Sequence, residues 1–302
     1  MRLNKIGKLV FPLVLVFISL FLAYRNFLPA TWLTGWDNLQ SELNLLLNIR
    51  RSFSAVWQEY QGVGVLGGMA HAADLTRLLI LLPFSFFIPL SFIRYLWVFL
   101  MLLIGPLGVY FLLSKVLLND REDWMGLLGG FIGGMFYLLN LATVQYFYTP
   151  FETFVGFFGF LPWLLYFALS YFKKGGRKRL LSFFIVSILA TSAFYVQTMF
   201  VVYCLFLLVF SLEAVFSLKL TGITRSVKLA LVIFAANAFW LLPVLYFTLT
   251  GSSLPALSKI NRISTPETQL MNYSRGSFAD ISLLKGYWFD YYDWTQPNSG
   301  LG

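Results

Sequence analysis

Long apolar runs separated by short polar turns set the rhythm of this chain. A run needs about 20 residues to cross a bilayer core as a helix. The first, from about Lys8 to Phe27, follows a basic start holding Arg2, Lys5 and Lys8. Its length, and the lack of a small-x-small cleavage site in FLAYRNFLPAT, predict a retained span rather than a cleaved signal peptide. Further spans are predicted at about Ser91–Leu117, Trp124–Leu141 and Thr153–Phe172. From Leu180 to Leu218 the only charge is Glu213. At roughly 1.5 Å per residue that stretch would reach about 58 Å, enough for two crossings, so a break is expected near Gln197–Thr198. A last span covers about Lys228 to Thr250. Leu75–Leu90 is different: it is short, carries Arg77, and holds Pro83 and Pro89. That pattern predicts a re-entrant or interfacial element that does not cross.

Charge fixes the orientation. The run Lys173–Arg179 (KKGGRKR) belongs on the cytoplasmic side by the positive-inside bias. Counting spans away from it agrees with a cytoplasmic N-terminus only if Leu75–Leu90 does not cross. Seven spans follow, with residues 28–90 forming an outer loop and the tail after Thr250 outside. On this map 13 cations and four acids lie inside, which accounts for the whole formal charge of +9. The excess of positive charge is topological and needs no nucleic-acid partner.

Composition excludes the soluble classes. The chain is 59% hydrophobic and 12% charged, with a mean hydropathy of +0.75. A soluble domain of 302 residues cannot hide so much apolar surface. The expected fold class is therefore an all-α polytopic membrane protein with about seven transmembrane helices and amphipathic interfacial helices in the first outer loop. Cys204 is the single cysteine, so no disulfide within the chain is possible, and it reads as a small core residue. Phosphate-binding glycine loops, HExxH and GxSxG are missing. Residues 251–302 are polar and aromatic, and read as the start of an extracytoplasmic segment belonging to a longer protein.

Candidate chemistry gathers on the outer side. In the first loop Leu39, Leu43, Leu46, Leu47, Phe53, Trp57 and Tyr60 recur at intervals of three and four, with Gln40, Glu42, Asn44, Asn48, Arg51 and Gln58 between them. This spacing predicts an amphipathic helix over Asn38–Tyr60 lying in the membrane interface. Asp37, beside Trp36 just beyond the first span, can cap that helix with Gln40 three residues on. It can also serve as a general base held at the membrane surface. Glu59, His71, Asp74, Arg77, Arg94 and Glu152 fall on the same side. An arginine fork there matches phosphate oxygens, but contact with lipid headgroups is the commoner use of a surface arginine such as Arg50, Arg51 or Arg77. His71 is the one histidine and does not define a metal site alone.

This layout resembles the GT-C superfamily of integral membrane glycosyltransferases. GWDNLQ, holding Trp36 and Asp37, supplies the acid soon after the first span. Asn38–Tyr60 supplies the first interfacial helix and Leu75–Leu90 the second. Together with WQEY the pattern looks most like the arabinofuranosyltransferase-type branch. The resemblance implies transfer of a sugar from a polyprenyl-phosphate donor to a glycan or lipid acceptor at the outer face of the cell membrane. It implies a catalytic set of Asp37, Glu59 and Glu152, and substrate contacts from Trp36, His71, Arg77 and Arg94. No Asp-x-Asp pair is present, so metal ligands are not assigned, while a divalent metal stays open as a cofactor. Residues 1–250 would be the transmembrane module. Two other readings share this layout: a transporter or flippase of lipid-linked saccharides, and a non-catalytic membrane scaffold. Nearly charge-free spans and the lack of an inverted repeat weigh against transport.

Overall fold

A computed structural model describes residues 5–34, 40–54, 57–58, 65–66, 71–118, 124–251, 253, 270, 277–285 and 289. Among these the architecture is almost wholly helical. Five helices are long and apolar enough to cross a membrane: α1 (Lys5–Asn26), α4 (Leu90–Leu112, prolonged to Leu117 by a π turn), α7 (Glu152–Lys174), α9 (Gln197–Leu218) and α10 (Leu220–Gly251). A sixth arises if α5 (Trp124–Leu139) and α6 (Leu141–Tyr148), bent by 46° at Asn140, form one span. The bend has a local cause. The Asn140 side chain accepts from the Thr143 N–H at 3.0 Å and so caps a new helix in the middle of an apolar run.

α4 and α7 form the central pair. Their seam is built from small residues. A Cβ at Gly105 would stand 2.9 Å from the Phe158 carbonyl oxygen, and one at Gly159 would stand 3.2 Å from the Met101 Cα. The backbones therefore approach as closely as glycine permits, in the manner of small-residue contacts between membrane helices. Ile93, Trp97 and Met101 of α4 meet Val155, Phe160 and Leu164 of α7 in the core. Pro162 has no N–H to offer the Phe158 carbonyl one turn back. The Tyr137 hydroxyl of α5 donates to that carbonyl at 3.0 Å and repairs the gap.

The loop between α7 and α8 (Arg177–Leu189) is only Gly175–Gly176. Both residues have positive φ, 62° and 96°, which glycine adopts without strain. The expected break in the long apolar run is present. A 3-10 turn at Thr191–Phe194 ends α8, and α9 begins at Gln197. α8 has 13 residues, about 20 Å, and the turn adds about 8 Å. α10 starts at Leu220, earlier than Lys228, because Gly222 lets it pack against the Ala214 backbone of α9.

The first loop departs most from expectation. The helix predicted over Asn38–Tyr60 is a 3-10 turn at Ser41–Asn44 followed by α2 (Leu45–Phe53). Asn44 caps α2 by accepting from the Leu47 N–H at 3.1 Å, so the helix starts later than the apolar period suggested. Beyond it Trp57–Gln58 (β1) pairs antiparallel with Val65–Leu66 (β2). α2 keeps a two-faced character: Leu45 and Ser52 are buried, while Leu46 and Phe53 are exposed. Leu75–Leu90 resolves into α3 (Leu75–Leu81), a 3-10 turn at Phe84–Phe86, and the start of α4 after Pro89. Seven residues of helix, about 10 Å, do not cross a bilayer.

Candidate functional site

Five charged side chains from four elements meet in one buried network. Glu42 comes from the turn before α2, and Asp74 and Arg77 from the start of α3. Arg94 stands in the first turns of α4, and Glu152 is the first residue of α7. Their relative exposures are 3%, 5%, 0%, 6% and 9% respectively. Charged groups this deep must be paired, and they are.

Arg77 grips Asp74 with both edges of its fork, Nε to Oδ1 at 2.7 Å and Nη2 to Oδ2 at 2.8 Å. The spacing of three residues on one short helix places the pair side by side. Nη1 of Arg77 donates to Glu42 Oε1, and Nη2 also donates to Ser41 Oγ at 2.7 Å. The Ser41 hydroxyl passes its own hydrogen to Asp74 Oδ2 at 3.1 Å. Glu42 continues the chain, because Arg94 Nη1 reaches its Oε2 at 3.5 Å and Glu152 Oε1 at 2.8 Å. Arg94 Nη2 reaches the Pro150 carbonyl at 3.5 Å, and the Gln40 N–H donates to Glu152 Oε1 at 3.1 Å. The network thus ties the first loop to the ends of both central helices.

Electrostatics keep it charged. Burial works to raise the Glu42 carboxyl, but the Arg77 and Arg94 guanidinium groups outweigh it and hold the group below its ordinary value of 4.5. Burial alone would loosen the proton of Arg77. Asp74 and Glu42 reverse that effect, and its pKa rises well above the usual arginine value. Among the described residues three carboxylates share two guanidinium groups.

A cavity of about 280 Å³ opens on the network. Trp32, Leu33, Leu43 and Leu90 form its apolar walls, and Thr34, Gln40, Glu42, Ser91 and Arg94 its polar ones. Arg94 Nε is buried and finds no acceptor among the described residues. The segment after α1 is anchored nearby, with the Thr31 and Tyr95 hydroxyls 2.8 Å apart.

The network sits at one end of the bundle. Thr191, in the turn after α8, donates to the Ala73 carbonyl at 3.1 Å and lies 2.6 Å from the Thr76 hydroxyl. The lysine- and arginine-rich turns lie at the other end, where Lys173 donates to the Val116 carbonyl at 2.6 Å and Arg225 to that of Phe172.

Of the residues singled out in the sequence, Asp74, Arg77, Arg94 and Glu152 come together here. Arg77 does not reach the cavity; its donors are occupied by Asp74, Glu42 and Ser41. His71 opens the 3-10 turn His71–Asp74 that leads into α3. Trp36, Asp37 and Glu59 lie outside the described residues, although Thr34 and Gln40, which flank the first two in sequence, both line the cavity. Ser41 and Glu42 escaped the sequence reading, because an amphipathic period assigns Glu42 to a wet face. The one local signal was the spacing of Asp74 and Arg77. Among the described residues no three His, Cys, Asp or Glu side chains gather to hold a metal, since arginines take the carboxylates. Comparison with protein families, characterised proteins and solved structures finds no match.

Proposed function

We propose that this chain is the membrane module of a glycosyltransferase. It would move a sugar from a polyprenyl-phosphate donor to a glycan or lipid acceptor at the outer face of the cell membrane. The observation that carries the reading is the buried Glu42–Arg77–Arg94–Glu152 network, of which Glu42 and Arg94 line a cavity with both apolar and polar walls. Convergent polar groups in a largely apolar pocket mark a default ligand site. In this reading the chain crosses seven times, with α8 and the turn after it forming one crossing of about 28 Å. The basic turns face the cytoplasm and the tail after α10 lies outside.

Asp37 is the proposed general base. It takes the proton of an acceptor hydroxyl as that oxygen bonds to the anomeric carbon. The bond from that carbon to the phosphate oxygen breaks, and polyprenyl phosphate leaves with the electron pair. Arg94, which borders the cavity, is the arginine available to the reacting groups. Glu152 fixes Arg94 from behind at 2.8 Å.

The test is Asp37→Asn in the full-length protein in liposomes, following sugar transfer from a polyprenyl-phosphate donor. A positioned base contributes about 10²–10⁴-fold, so transfer should fall by that factor while folding and insertion persist. Wild-type rates would remove Asp37 from the mechanism. Movement of intact donor across the bilayer without bond cleavage would favour transport instead.

A further inference from the structure

The seam between α9 and α10 holds another cavity, of about 310 Å³. Lys219 alone links the two helices, which run back along each other with Gly222 against Ala214. The cavity is a groove along this hairpin, lined from Phe200 to Ser211 on α9 and from Ser226 to Leu241 on α10. Its walls are mostly hydrocarbon. Cys204 and Ala230 are small and leave room beside the exposed Leu208 and Phe234. Ser211 and Ser226 mark the end nearer the Lys219 turn.

Dimensions decide what fits. Phe200 to Ser211 covers about 16 Å of helix, roughly half of a hydrocarbon core of about 30 Å. Spread over that length, the volume gives a section of about 19 Å², against roughly 80 Å² for a helix about 10 Å across. A neighbouring helix is too thick to enter. One extended hydrocarbon chain, reaching from the headgroups of one leaflet to the bilayer midplane, has the right length and section. Charge then selects the headgroup. Lys219, Arg225 and Lys228 lie at the serine end, and Glu213 is the one acid in the sequence of the two helices. Arg225 donates to the Phe172 carbonyl, while Lys219 and Lys228 are exposed. Long ammonium side chains reach along apolar surface to the headgroups, and each basic residue there favours anionic lipid.

We propose that this groove holds one acyl chain of an anionic phospholipid, with the lipid phosphate at the Lys219–Lys228 end. The site lies at the end of the bundle where Lys173 and Arg225 meet backbone carbonyls, opposite the Glu42–Arg94 network. A polyprenyl chain is longer than the groove, and in the transferase reading its phosphate belongs at the other end. The inference needs the membrane setting alone and does not depend on sugar transfer. It gives the basic turns a ligand as well as a part in topology.

The experiment uses the full chain in nanodiscs of equal parts phosphatidylglycerol and phosphatidylcholine. Native mass spectrometry of the released protein should show one retained phosphatidylglycerol, favoured over phosphatidylcholine. Lys219→Gln and Lys228→Gln should each cut that preference about fivefold. Ala230→Trp fills the groove and should lower retention of either lipid by at least about tenfold, while Ala230→Ser should keep it. A second measurement stays with the wild type. Phosphatidylglycerol carrying a diazirine along one acyl chain should, on illumination, insert into peptides holding Cys204, Leu208, Ala230 and Phe234. Equal retention of the two lipids would overturn the site. So would unchanged retention in a folded Ala230→Trp variant, or carbene insertion spread evenly over the bundle. Displacement of the retained lipid by a polyprenyl phosphate would assign the groove to the sugar donor and overturn it as well. Sugar transfer is not read here, so failure of the transferase reading and failure of this site are told apart.

Discussion

Arg77→Met keeps the bulk of the side chain near its place and removes the guanidinium. In the wild type that group makes four hydrogen bonds, two to Asp74, one to Glu42 and one to Ser41. Their separate worths do not add. What matters is that Asp74 and Glu42, 5% and 3% exposed, would be left buried with less compensation. Breaking one side of a buried ion pair costs about 3–5 kcal/mol. Glu42 keeps Arg94 at 3.5 Å, so the lower end, about 3–4 kcal/mol, is expected. For a chain of this size 1 kcal/mol moves the Tm by about 2 °C, which gives a fall of about 6–8 °C by scanning fluorimetry in detergent. A second substitution isolates the cause. Asp74→Asn with Arg77→Met removes the stranded charge and should recover at least about half of the loss. Acid supplies a further check. Glu42 titrates below its ordinary 4.5 in the folded protein, so its contribution is full above that pH and is lost as pH falls through the lower folded value. With Arg77 gone the burial effect is less opposed, so this acid-sensitive contribution shrinks, and the stability gap between the variant and the wild type should narrow as pH falls. A Tm shift under about 2 °C, or a double variant no better than the single, would refute the argument from stranded charge.

Gly105→Ala should destabilise by about 1–3 kcal/mol, because the added carbon meets the Phe158 carbonyl at 2.9 Å and helix backbones yield less readily than side chains. Thermal unfolding of this variant beside Gly129→Ala, which would meet only the end of Leu118, measures it. The orientation can be read with cysteines placed in a Cys204→Ala background. Lys178→Cys and Lys219→Cys should label from the cytoplasmic side and Ser277→Cys from outside, all three positions being exposed. Outside labelling at Lys178 would overturn the proposed map.

The apolar runs determined the long helices by themselves. Helices must satisfy their own backbone in lipid, so about 20 apolar residues without charge leave few alternatives. α1, α4, α5 and α7 begin and end within a few residues of the limits read from the chain. Prolines likewise announced that Leu75–Leu90 is broken. The first loop was legible only in part. Its apolar period ran on to Tyr60, but capping by Asn44 and strand pairing by Trp57–Gln58 are local hydrogen-bonding choices that periodicity does not encode. The network was the least legible. Arg77 and Asp74 are three residues apart, yet Glu42 and Glu152 lie 35 and 75 residues from Arg77. Nothing along the chain says that Glu42 turns inward. Only the packing of α3 and the loop against the ends of α4 and α7 brings the carboxylates within reach of two guanidinium groups. Once they are out of water, the cost of an unpaired charge holds them there.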